Sequence, residues 1–122
     1  MKNSKESFLK MCDNARMIKD EHKLLSSLGL CVKAGAAIMG VPMICDAMRA
    51  GGERKPLIVF EASDTSENTH KKLMDKCKYY NVECIRLECD GAVLAASLGK
   101  TSSLAAVALT DVNMRKMVEK HI

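Results

Sequence analysis

The chain has 122 residues and a mass of 13.4 kDa, enough for one domain with a single core. Its 48% hydrophobic and 28% charged residues exclude a disordered chain, and no apolar run has the length of a membrane span or a signal-peptide core. A net charge of +4 permits a polyanionic partner without requiring one, while the lack of Trp and an aromatic content of 3% argue against base-stacking platforms of the RRM or OB type.

In chain order, Met1 to Lys19 carries Phe8, Leu9, Cys12, Ala15 and Ile18 at helical spacing among charged residues. This predicts a helical extension over residues 1–20, laid on the domain surface or offered to a protein partner. No Gly or Pro interrupts the pattern before Gly29, so the extension and the next segment form one bent helix or two abutting ones, with the break at Asp13-Asn14. His22 to Lys33 continues as a helix with Leu24, Leu25, Leu28 and Val32 as its apolar stripe, and Gly35 is placed to end it. Ala36 to Met39 reads as a short edge strand. Gly40-Val41-Pro42 starts a helix that buries Ile44, Cys45 and Met48 and stops at Gly51-Gly52. Glu53 to Pro56 is a charged connector.

Leu57-Ile58-Val59-Phe60 is almost continuously apolar, as in a strand buried on both faces. A polar turn, Glu61 to Asp64, follows. Asp64 and Glu67 have the spacing of a capping box for a helix whose Leu73, Met74, Cys77 and Tyr80 share one face and which ends near Asn81. Val82 to Leu87 opens a second strand, completing a right-handed parallel crossover. Asp90 caps a short helix that runs through Val93, Leu94 and Leu98 to Gly99, and Thr101-Ser102-Ser103 is a polar loop. Leu104 to Leu109 is another buried strand. Thr110 or Asp111 caps a last helix with Met114, Met117 and Val118 inward. Strands alternating with helices define an α/β fold, a small sheet between helix layers.

Little in the sequence points to catalysis. The six cysteines, Cys12, Cys31, Cys45, Cys77, Cys84 and Cys89, contain no C-x-x-C pair and no Cys/His cluster with ligand spacing. They read as reduced thiols acting as small hydrophobes in a cytoplasmic protein. Gly99-Lys100-Thr101 is similar to the end of a P-loop, but Leu94 stands where the first glycine belongs and the strand–loop–helix order is reversed. His70 and Cys77 lie two helical turns apart, about 10 Å, too far for a thiol–imidazole pair. His70 therefore reads as a surface or boundary residue. His22 and His121 have no ligand-spaced companions, and Asp64, Glu67 and Asp111 are explained as caps. No catalytic residue, cofactor, metal or small-molecule substrate is assigned, and the chain is not read as an enzyme.

A wider pattern runs from Leu24 to about Met117. It comprises Leu24 to Leu30, Lys33-Ala34-Gly35, Gly40, Ala62 to Thr69, Lys71-Lys72-Leu73, Asp75 to Val82, Leu98-Gly99-Lys100 and Ala106 to Asp111. In this order the segments resemble the L-seven-Ae/L-thirty-e/Gadd-forty-five superfamily, and more narrowly its short bacterial L-seven-Ae-like members. The resemblance implies a three-layer α-β-α sandwich around a four-stranded mixed sheet, with an L-seven-Ae-like domain over residues 21–122 and an extra N-terminal helix. It also implies a ribosome-associated protein that binds structured RNA of the kink-turn type. In the family the N-terminus of the second core helix, here at Gly40, docks at the kink, and the loop before the last strand closes over flipped-out bases. The positions carried over as RNA contacts are Lys33, Gly35, Gly40, Lys100, Thr101, Ser102 and Ser103. Four others depart from the family pattern: Ala36 and Asp46 replace lysines, and Pro42-Met43 replaces the Asn-Glu pair that reads base edges. The resemblance thus leaves two functions open, RNA binding through a degenerate motif or a protein-interaction module that docks through Val41-Pro42-Met43.

Overall fold

The computed structural model describes residues 18–122. All of the expected N-terminal helix except Ile18–Asp20 lies outside the described residues, and with it Asp13-Asn14 and Cys12. In order the elements are α1 (Glu21–Lys33), β1 (Ala37–Met39), α2 (Val41–Ala50), a 3-10 turn (Gly52–Arg54), β2 (Ile58–Glu61), α3 (Glu67–Tyr80), β3 (Glu83–Arg86), α4 (Gly91–Ser97), β4 (Ala106–Leu109) and α5 (Val112–Glu119).

Each helix begins and ends where local chemistry dictates. Asp20 caps α1 by accepting from the Lys23 N–H at 3.1 Å, a start signal that the sequence pattern had run through. The same helix ends at a left-handed Gly35 (φ 74°), where the Gly35 and Ala36 N–H groups return to Val32 O and Cys31 O. Those two bonds form a Schellman turn, so Gly35 is fixed by helix termination. Asn81 ends α3 in the same left-handed region, as expected. Asp90 and Asp111 cap α4 and α5.

The four strands form one sheet in the order β1-β4-β2-β3. β2 and β3 are parallel, and β4 runs antiparallel to both of its neighbours, with Met39 opposite Val107 and Glu61 opposite Ala106. The expected strands are therefore neighbours in one mixed sheet, with β1 at an edge. Helices cover both faces. Val59, Cys84, Ala106 and Ala108 point toward α2 and α3, where they meet Ile44, Met48, Leu73 and Cys77. Their alternates Ile58, Phe60, Ile85, Val107 and Leu109 point toward α1, α4 and α5, where they meet Leu24, Leu28, Leu94 and Val118. This is the three-layer α-β-α sandwich. Phe60, Leu24, Leu28 and Leu73 are fully buried, each contributing about 1.5–3 kcal/mol. Four cysteines, Cys31, Cys45, Cys77 and Cys84, lie in these two cores.

Two local expectations are corrected. Glu61 is not a turn residue: it is the last residue of β2 and wholly buried. Asp64 does not cap α3, which Ser66 caps instead by accepting from the Thr69 N–H.

Candidate functional site

The strand directions decide where polar turns collect. The carboxyl ends of β1, β2 and β3 and the start of β4 all lie at one end of the sheet. Ligand-binding turns in α/β sheets gather at such strand ends. Four segments meet there: the start of α2 after β1, the turn Ala62–Ser66 after β2, the turn Leu87–Asp90 after β3, and the segment Leu98–Ala105 before β4.

Gly40 joins β1 to α2 with φ 93°, and its N–H donates to Ala106 O at 2.9 Å. Only glycine adopts this backbone readily. Among the described residues no side chain caps α2, and Pro42 in its first turn has no N–H to offer. Pro42 is exposed, and Met43 is 61% exposed. Asp46, one turn further, is held by Arg49 at 3.5 Å.

The other three segments are tied together. Asp64 Oδ1 accepts from the Gly91 N–H at 2.8 Å, serving a helix other than its own. Ser63 N–H donates to Cys89 O at 2.9 Å, and Arg86 donates to Ser63 O at 2.8 Å. The Thr65 hydroxyl donates to Ala62 O at 2.9 Å and also lies within reach of Ala105 O. Leu104 N–H closes the set by donating to Gly91 O at 3.1 Å. A Cβ on Gly91 would overlap Ser103 Oγ and stand 2.7 Å from Leu104 O. Lys100, Thr101, Ser102 and Ser103 are all exposed, but the segment is anchored on both sides, by Lys100 N–H to Ala95 O at 2.8 Å and by Leu104. On the far side of this frame the Glu21 carboxylate accepts from the Glu88 and Cys89 N–H groups at 2.8 and 2.9 Å. Burial, with the Glu21 charge next, pushes the Cys89 thiol up to about 11.

The candidates named from sequence therefore divide. Gly40 and Lys100–Ser103 share one end of the sheet. Lys33 and Gly35 sit at the opposite end of β1, about 13 Å away along the strand from Ala36 to Gly40. There Ala36 O accepts from Thr110 N–H.

Sequence reasoning missed the most buried polar group near the site. The Glu61 carboxylate points into the α2/α3 layer, where His70 Nδ1 lies 2.7 and 2.9 Å from its two oxygens. The side chain of His70 is 24% exposed, so the imidazole spans the boundary between core and surface. A carboxylate directly after an apolar strand was the one available signal. Among the described residues no group of three or more His, Cys, Asp or Glu side chains is placed to hold a metal. Nor is any described helix long and apolar enough to cross a membrane.

The fold and this frame define a small α-β-α sandwich with its polar turns braced at one sheet end. Two curated proteins, both called RNA-binding protein YlxQ, match it in sequence. That of Enterococcus faecium is 40% identical over 68 residues, 56% of this chain and 63% of the relative, so the match spans less than two thirds of that protein. That of Bacillus subtilis (strain 168) is 36% identical over 84 residues, 69% of this chain and 79% of the relative. A solved structure, described as a protein with unknown function from Bacillus halodurans C, superposes with a TM-score of 0.70 at 26% identity. That superposition covers 80% of this chain and 94% of the other. No protein-family model matches the chain. At this identity and coverage, the chain belongs to the YlxQ family.

Proposed function

We propose that the protein binds structured RNA through the end of the sheet that carries Gly40 and the Lys100–Ser103 segment. The observation that carries this reading is the α2 N-terminus, uncapped by any side chain among the described residues and flanked by that anchored, exposed segment, in a chain whose relatives are named RNA-binding proteins. Free backbone donors at a helix start favour phosphate, and a rigid polar loop beside them gives the RNA a second contact. The finer reading is membership of the L-seven-Ae/L-thirty-e superfamily and recognition of kink-turn RNA, in association with the ribosome in the cytoplasm. On that reading binding is weak. Pro42 and Met43 offer no side-chain hydrogen bonds to base edges, and Asp46 sets a carboxylate where a lysine would meet phosphate.

The experiment compares a kink-turn RNA with a plain duplex across a salt series. It uses the unmodified protein and the combined variant Ala36→Lys, Pro42→Asn, Met43→Glu, Asp46→Lys. The expected result is weak binding by the former and a gain selective for the kink-turn in the latter. Tight, kink-selective binding by the unmodified protein would refute the weight given to those four positions. Absence of binding by both would refute the RNA reading.

One observation favours a second function. Beside the exposed Met43 lies a groove of about 510 Å³ lined mainly by Ala37, Ile38, Met39, Ala47 and Ala50, with Asp46 and Arg54 also in its lining, along the edge strand β1. Such a groove suits an apolar segment of a protein partner better than a polyanion. Loss of RNA binding together with a partner contact abolished by Met43→Asp would favour this alternative.

A further inference from the structure

A second groove lies between α2 and α3, with a volume of about 290 Å³. Val41, Pro42 and Arg49 line it from α2, and Thr69, Lys72 and Lys76 from α3. Its head is the first turn of α2, so it continues directly from the sheet end described above. Lys72 and Lys76 are one helical turn apart on the same side of α3, about 6 Å along the axis. Neither makes an ion pair among the described residues. Among the described lining residues the one carboxylate is Asp46, which pairs with Arg49 at 3.5 Å and leaves the groove with a net positive charge from the two lysines. They also lie over its floor: both pull the pKa of the Cys45 thiol down, against a larger upward push from burial.

The lining identifies the chemistry. Among the described residues it contains no aromatic side chain on which a base would stack, and its hydroxyl and ammonium groups suit phosphate oxygens. We propose that the groove is a backbone track for the same RNA, in which the strand leaving the α2 N-terminus runs between α2 and α3 and Lys72 and Lys76 each neutralise one phosphate. This rests on the RNA-binding reading above and adds a surface that it does not include. Contacts of this kind carry no sequence information but set affinity and its dependence on salt. Two lost contacts lower the slope of log K against log salt by about 1.4–1.8, and at 0.1 M salt weaken binding roughly 25- to 60-fold.

The test measures binding of a kink-turn RNA between 50 and 200 mM salt by the unmodified protein, by Lys72→Ala/Lys76→Ala, and by Lys116→Ala/Lys120→Ala, which removes the same charge from the opposite layer. Amide chemical shifts of the unmodified protein are followed with the same RNA. The proposal expects the full loss of slope and affinity in the first variant only, with shifts at Thr69, Lys72 and Lys76. Equal losses in both variants would mean attraction by net charge alone, and would overturn it. Shifts confined to Gly40 and Lys100–Ser103, with an unchanged slope, would overturn it and leave the RNA reading standing. No shift at any amide would overturn both.

Discussion

Replacing His70 by alanine tests the buried pair at the end of β2. Glu61 is 0% exposed, and among the described residues its carboxylate has no hydrogen-bond partner except the His70 imidazole, at 2.7 and 2.9 Å. Deleting the imidazole leaves that buried side chain in the α2/α3 core without its hydrogen-bond partner. Breaking a buried pair in this way costs about 3–5 kcal/mol, whereas replacing both partners by apolar groups is often nearly neutral. At about 4 °C per kcal/mol for a chain of this size, Tm should fall by about 12–20 °C. The assay is urea and thermal unfolding of the unmodified protein, His70→Ala, Glu61→Ala and the double variant. A coupling free energy of about 1–3 kcal/mol is expected, with the double variant more stable than the sum of the singles implies. A His70→Ala variant that loses under about 1 kcal/mol, or strict additivity in the cycle, would refute the claim that the pair is interdependent.

Two further outcomes are expected. Gly91→Ala places a Cβ 2.7 Å from Leu104 O and 3.4 Å from Asp64 Oδ1; it should cost about 1–3 kcal/mol in urea unfolding and move the amide resonances of Lys100–Ser103. Unchanged stability and resonances would show that the segment is not seated on α4 as described. The Cys89 thiol, held at about 11 by burial and Glu21, should resist alkylation at pH 8, and Glu21→Gln should speed it. Because the folded thiol keeps its proton where an ordinary thiol loses it, its contribution to stability is full below about pH 9 and lost as pH rises through about 11. An alkylation profile with a midpoint near 9 would contradict this.

The layers were legible because they rest on short-range patterns. Leu73, Met74 and Cys77 recur at helical spacing, and Val59 and Ala108 alternate with Phe60 and Leu109 between the two faces of the sheet. Gly35, Asn81, Asp90 and Asp111 mark helix ends through bonds to residues a few positions away. What the sequence hid depends on contacts with no period. Glu61 and His70 are nine residues apart and meet only because α3 folds back over β2. Asp64 has capping spacing toward Glu67, but the turn aims it at Gly91, 27 positions on. The shared location of Gly40 and the Lys100–Ser103 segment follows from the antiparallel run of β4 beside β1, which no local pattern encodes. Lys72 and Lys76 line a groove only because α2 packs beside α3, a contact no local pattern encodes.

The sheet also bears on how copies of this chain treat one another in crowded surroundings. Among the described residues the four-stranded sheet has two open edges, each a template for pairing with a neighbouring molecule and a route to aggregation. Here one edge, β1, is three residues long and runs straight into Gly40 and the first turn of α2, so an incoming strand finds almost no ladder to extend. The other, β3, is four residues long and begins and ends with the charged residues Glu83 and Arg86. The apolar strands β2 and β4 lie between them, shielded from strangers by neighbours too short or too charged to recruit more.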